Sequence, residues 1–248
     1  MKPVTNPHHL QLIKIFKENQ TIQENNDWVK KYLGTSKKFY NLKAGVRIKA
    51  VKEYLKSQDF SFVDLEDLLI SLSYSLSAEE IFTISQILTM YPKFRHQLDP
   101  RLLETLLARV EGWAETDTIC QMCFTADDLL ENWPAWKKAL IQFTKDPNIH
   151  KRRASLVLLT KPTRQSDDSR LSDLAFAITD KLKGEKEILI TKAVSWILRS
   201  LIKHHKQEVA DYLITNENTL PRIAIREVKS KLLTGKKYVH KQQQKERE

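Results

Sequence analysis

The apolar residues of this chain recur at helical spacing almost throughout, and that rhythm limits the available folds more than any other feature. Leu65, Leu68, Leu69, Leu72 and Leu76 form one stripe. Positions three and four apart share one side of a helix, so such a stripe is a single buried face. Ser61 is placed to cap that helix, and Asp64, Glu66 and Asp67 make its early turns acidic, as the helix dipole favours. Ser77 with Glu80 has capping-box spacing and is expected to open a helix from Ile81 to Met90, which Pro92 closes. Pro100 has the fixed φ of a first turn, and Leu102, Leu103, Leu106 and Leu107 give the helix behind it a buried face. Sheet proteins need many tight turns, often with glycine at positive φ, and the chain holds only five glycines and eight prolines. The expected class is therefore all-α, with long helices on short connections.

The second half repeats itself loosely. Arg152-Arg153-Ala154-Ser155-Leu156 resembles Thr191-Lys192-Ala193-Val194-Ser195, with the basic residue before the alanine returning after 39 positions, and Arg222-Ile223-Ala224-Ile225-Arg226 is a weaker echo. Repeats of this length fit stacked helix pairs of the HEAT type, in which each unit buries its apolar face only against its neighbours. The expected architecture is a helical-repeat solenoid with a concave basic face: one domain over residues 1–233, then a mobile basic tail over 234–248 holding Lys236, Lys237 and Lys241.

A formal charge of +10 and a pI near 9.4 suit a polyanionic partner, because each phosphate neutralised releases a condensed counterion. The first residues show no apolar core of a targeting segment, and no window approaches a membrane span. Two cysteines make no disulfide framework, which fits a reducing compartment and a cytoplasmic protein, nucleoid-associated if bacterial.

The residues best suited to chemistry are Trp113 and Asp117, four apart and so on one face of a helix. An indole face and a carboxylate together stabilise a developing cation. Trp196, with Arg199 one turn on, is a second candidate indole. The plainer reading is that tryptophans pack and an early aspartate serves the dipole. Cys120 and Cys123 lack the further ligands of a zinc site and are expected to be buried. The pairs His8-His9 and His204-His205 are expected at the surface, Trp133 and Trp136 to pack a helix start, and Lys37-Lys38 to be solvated or to touch phosphate.

Five segments resemble the AlkD-like family of DNA alkylation repair glycosylases. Tyr32-Leu33-Gly34-Thr35 leads to Gly45-Val46-Arg47-Ile48, similar to that family's early tyrosine and Gly-Val-Arg stretch. Trp113 and Asp117 match its Trp-x-x-x-Asp, and Asn148 to Ala154 resembles its segment ending in a functional arginine. Lys192-Ala193-Val194-Ser195-Trp196-Ile197-Leu198-Arg199 is similar to its Lys-Ala-Ile-Gly-Trp-x-Leu-Arg, and Ala224-Ile225-Arg226-Glu227 to its late Arg-Glu helix. The resemblance implies HEAT-like helix pairs on duplex DNA, excision of cationic alkylated purines at N3 or N7, no metal or organic cofactor, no membrane and no obligate protein partner. It implies that Asp117 stabilises the sugar cation or positions water and that Trp113 and Trp196 flank the deoxyribose. Arg153, Arg152, Tyr32, Arg47, Lys52, Lys192 and Arg199 are its candidate DNA contacts. Lys49, Lys52, Ser195 and His150 depart from the family pattern, which bears on lesion preference and rate. A non-enzymatic DNA-structure-binding protein of the same fold is the alternative, and a protein scaffold ranks below both.

Overall fold

The computed structural model describes residues 4–21 and 27–238. Among these residues every regular element is a helix, apart from one isolated bridge between Lys38 and Ser77. The chain divides after Cys123 into two compact units.

The first unit holds α1 (Pro7–Asn19), α2 (Asp27–Leu33), α3 (Ala44–Lys56), α4 (Phe62–Ser73), α5 (Ala78–Met90), α6 (Pro92–His96), α7 (Pro100–Leu107) and α8 (Trp113–Gln121). Two rows form: α1 packs on α4 and α4 on α7, while α3 packs on α5 and α5 on α8. The leucine stripe explains the arrangement. Leu65, Leu68, Leu69 and Leu72 are all buried, as are Val51 and Leu55 of α3 and Ile81, Ile84, Ile87 and Leu88 of α5. Leu76 leaves the stripe, because α4 ends at Ser73 and Leu76 lies exposed in the turn.

Of the helix starts expected at Ser61, Ser77 and Pro100, two follow the local chemistry. The Ser61 hydroxyl accepts from the Asp64 N–H and the Asp64 carboxylate accepts from the Ser61 N–H at 2.9 Å, a reciprocal capping box. The Asp99 carboxylate accepts from Arg101 N–H and Pro100 begins α7, as expected. Ser77 is the exception. It precedes a helix that begins at Ala78 rather than Ile81, but makes no capping hydrogen bond. Its hydroxyl instead donates to Glu79 at 3.1 Å, and Glu80 is drawn away into a buried network with His9, Ser75 and Tyr40. Pro92 does follow the end of α5, and also opens the short α6.

The second unit holds α9 (Ala126–Glu131), α10 (Trp133–Phe143), α11 (Ile149–Val157), α12 (Pro162–Gln165), α13 (Ser169–Leu182), α14 (Ile188–Leu201), α15 (Lys206–Thr215) and α16 (Arg222–Thr234). The three echoing segments fall on α11, α14 and α16, and these helices stack directly, α14 against both of its neighbours. Ala154, Ala193 and Ala224 are all buried, so the repeated alanine marks where helices approach closely. Trp136 is buried against Phe124, edge to face at 5.3 Å, as expected of a residue packing a helix start.

The expected tail begins folded. Gly235, at φ 73°, closes α16 by donating its N–H to the Lys231 carbonyl, and Tyr238 donates its hydroxyl to Glu227 at 2.7 Å. Residues 239–248 of that expected tail lie outside the described residues.

Candidate catalytic residues and nucleic-acid contacts

In the first unit the candidate residues gather where the end of α2 meets the start of α8. Gly34 adopts φ +73°, turning the chain just after Leu33. Gly112, immediately before α8, sits so close that a Cβ there would lie 2.3 Å from the Leu33 carbonyl oxygen. Only glycine permits that approach. It brings Tyr32 and Trp113 together across 81 positions: the Trp113 indole N–H donates to the Tyr32 carbonyl at 2.6 Å, and the rings meet edge to face at 5.4 Å. Trp28 adds a third ring, 6.0 Å from Tyr32. Trp28 is 70% exposed and Tyr32 61%, so two large aromatics face solvent here. Trp113 and Asp117 are each half-buried on α8.

A buried polar cluster holds this corner. Thr35 donates its hydroxyl to Glu115 at 2.7 Å, and the Glu111 N–H donates to the other Glu115 oxygen at 3.1 Å. The Lys37 ammonium donates to the Arg109 carbonyl at 3.1 Å and to Glu111 at 3.2 Å, and stands 3.9 Å from Glu115. Ser36 binds Glu111 through both its N–H and its hydroxyl. Burial pushes the Glu115 carboxyl above its ordinary range, with Thr35 and Lys37 pulling the other way. Lys37 therefore belongs to the interior and is not a surface or phosphate-facing lysine. Lys38 is exposed, as expected.

The other candidates of this unit lie on α3. The Arg47 guanidinium is half-buried beside the Phe82 ring and donates to Gln86 at 3.4 Å; burial lowers its pKa, against the pull of Glu79. Lys52 is exposed, and so is Lys49, which pairs weakly with Glu53 at 3.9 Å.

His9 corrects the expectation of surface histidines. It is buried, with Nδ1 2.7 Å from the Ser71 hydroxyl and Nε2 2.7 Å from Glu80. Glu80 also accepts from Ser75 at 2.5 Å and Tyr40 at 2.7 Å. Burial raises the Glu80 pKa, but the bonds from His9, Ser75 and Tyr40 together bring it below the ordinary value. His205 is buried as well, whereas His204 is exposed as expected. Cys120 and Cys123 are buried, as expected, and the Cys123 thiol donates to the Ile119 carbonyl at 2.9 Å.

In the second unit the repeat brings the candidates onto neighbouring helices. Arg153 is only 5% exposed, and its Nη1 donates to the Leu189 carbonyl at 2.5 Å, tying α11 to the start of α14. Arg152 is turned onto Glu185 at 2.9 Å and onto the carbonyls of Asp146 and Pro147 at 2.8 and 3.0 Å. Both side chains are thus engaged by the protein itself. On α14, Lys192 is exposed, Trp196 half-buried and Ser195 fully buried. The Ser195 hydroxyl donates to Glu227 of α16 at 2.6 Å, so the departure from glycine creates a buried link between these helices. Arg199 lies 3.3 Å from the Ser195 hydroxyl and 3.4 Å from Glu227. His150, the other departure, is buried at the start of α11.

Among the described residues, rows of stacked helices and no strands define an all-α helical-repeat protein. The model of the DNA alkylation repair enzyme family matches residues 14–232, and the chain belongs to that family. Comparison with curated proteins gives no match. Among solved structures, one described as a predicted DNA alkylation repair enzyme from Enterococcus faecalis superposes with a TM-score of 0.71 at 18% identity, covering 87% of this chain and 97% of that chain. At that identity the likeness establishes a shared all-α fold. Among the described residues no helix is long and apolar enough to cross a membrane.

Proposed function

We propose that this chain is a monofunctional DNA N-glycosylase that hydrolyses cationic N3- or N7-alkylated purines from duplex DNA, without a metal or organic cofactor. The observation that carries the reading is the corner at α8, where Trp113 and Asp117 share one half-exposed face and the Trp113 ring is fixed by Tyr32. An alkylated purine already bears positive charge, so the electron pair of the glycosidic bond neutralises it on departure and no general acid is needed. The deoxyribose is left as an oxocarbenium-like cation. Asp117 supplies charge and Trp113 a π face to that cation, and water adds at C1′ and loses a proton. Tyr32, Arg47 and Lys52 of the first unit, and Lys192, Trp196 and Arg199 of the second, are the further residues proposed to contact the DNA. With Arg152 and Arg153 bonded to protein acceptors, their part in holding DNA is through the placement of α11 and α14.

The test is release of free base from duplex DNA containing N7-methylguanine or N3-methyladenine. Wild-type protein is expected to release it, and Asp117→Asn to do so about a hundredfold more slowly. Binding of undamaged duplex and thermal stability should both be retained. Equal rates in the two proteins would remove Asp117 from the mechanism. A wild-type protein that binds duplex tightly yet releases no base would be a DNA-structure-binding protein of the same fold.

A further inference from the structure

We propose that Arg164, Arg199 and Lys231 form a site for a backbone phosphate, beside the C-terminal half of α14. This rests on the reading that the partner is duplex DNA. The three cations come from α12, α14 and α16 and converge on one turn of helix. Arg164 donates from Nη1 to the Ser200 hydroxyl at 2.9 Å, and Lys231 donates to the carbonyl of Arg199 at 2.9 Å. Lys203 and His204 stand at 2.6 and 3.1 Å from the carbonyl of Arg164, bringing a further cation to the edge. Against them stands Glu227, whose carboxylate already serves Ser195, Tyr238, Lys237 and Arg199.

Gathering like charges this way opposes folding. Burial lowers the pKa of Arg164, Arg199 and Lys231, and Arg199 adds repulsion on both of the others. Helix capping accounts for part of the arrangement, since lysines favour C-terminal carbonyls. It does not use the donors up. An ammonium has three N–H groups and a guanidinium five, and the contacts named for Arg164 and Lys231 take one each, on neutral oxygens. A phosphate brings several acceptor oxygens and negative charge to donors already held in place. The site also suits its neighbour. Arg199 follows Trp196 by three residues and Ser200 donates to the Trp196 carbonyl, so a phosphate here would lie one helical turn from the indole proposed to touch the DNA.

The experiment measures binding of a short undamaged duplex to the full chain between about 50 and 200 mM NaCl, for wild type and Arg164→Gln/Lys231→Gln. Losing one phosphate contact lowers the slope of log K against log salt by about 0.9, so the variant's deficit should shrink about threefold across that range. Its melting temperature should hold or rise, because repulsion is relieved. A slope and affinity equal to wild type would overturn the site, whatever the stability. A second arm adds inorganic pyrophosphate at matched ionic strength and reads melting temperature, and it decides the matter if wild type binds no duplex. A rise in wild type and none in the variant then keeps the phosphate site while the DNA reading falls. No rise in either overturns the site too.

Discussion

Lys37→Met tests the buried cluster beneath the candidate catalytic corner. Lys37 is 4% exposed and Glu115 1%, with 3.9 Å between ammonium and carboxylate. Methionine keeps most of the lysine stem's packing and removes the charge. At an effective dielectric of about 20, unit charges at that separation attract by about 4 kcal/mol. Glu115 keeps the Thr35 hydroxyl and the Glu111 N–H, which soften the loss. The expected destabilisation is therefore about 3 kcal/mol near neutral pH, a fall in melting temperature on the order of 10 °C. The pH dependence identifies the cause. Burial raises the Glu115 pKa, so its contribution to stability is complete below the unfolded value and is lost as pH rises through the folded one. Removing Lys37 raises that pKa further, which makes the variant's deficit largest near neutral pH. For Glu111, burial raises the pKa but the Ser36 bonds and Lys37 bring it below the ordinary value. Its benefit from Lys37 fades as pH falls, in the same direction. Thermal melts followed by circular dichroism at about pH 7 and about pH 4.5 should show the deficit shrinking in acid, and Glu115→Gln in the Lys37→Met background should recover much of it. A variant that melts within a degree or two of wild type at neutral pH, or a deficit indifferent to pH, refutes the reasoning.

Gly112→Ala should cost about 2 kcal/mol or more, because its Cβ meets a backbone carbonyl that cannot swing aside; thermal melting and tryptophan emission report the loosened corner. Glu80 has a lowered folded pKa, so its contribution is present above the ordinary carboxylate value and lost as pH falls through the folded one. Glu80→Gln should be less stable in urea near neutral pH and lose less on acidification than wild type; parallel acid profiles would show that Glu80 does not carry that pH dependence. Arg153→Ala leaves the Leu189 carbonyl without its charged partner, at a cost of about 1–3 kcal/mol, and should weaken duplex binding and base release together. An early melt with normal binding would make Arg153 purely structural.

What the sequence disclosed was set by chemistry close along the chain. Ser61, Pro100 and the leucines between them announced their helices because a cap, a fixed φ and a stripe act within a few residues. The basic–alanine echo located α11 and α14 because repeat packing copies a local pattern. Long-range pairing was invisible. Lys37 and His9 looked like surface residues, yet their partners stand more than 60 positions away at Glu111 and at Ser71 and Glu80. Ser77 and Glu80 had capping-box spacing, but a tertiary network took the carboxylate. Spacing places Trp113 and Asp117 on one helix face, while nothing in the sequence indicated that Gly34 and Gly112 would seat Tyr32 against the indole. Arg164 and Lys231 belong to no motif, and only folding makes them neighbours of Arg199.

The bond from Trp113 to the Tyr32 carbonyl also determines what that ring can discriminate. An indole has a single N–H and no acceptor nitrogen, so a Trp113 whose donor is occupied has no hydrogen bond left with which to distinguish one nucleobase edge from another. Its remaining vocabulary is a flat surface and a quadrupole, which respond to shape and to positive charge. In the proposed reaction a residue so equipped would be insensitive to the letters of a sequence and sensitive to a lesion's electrical state. Selection by this corner would accordingly follow how readily a base departs, and enzymes built this way need no separate reader for each adduct.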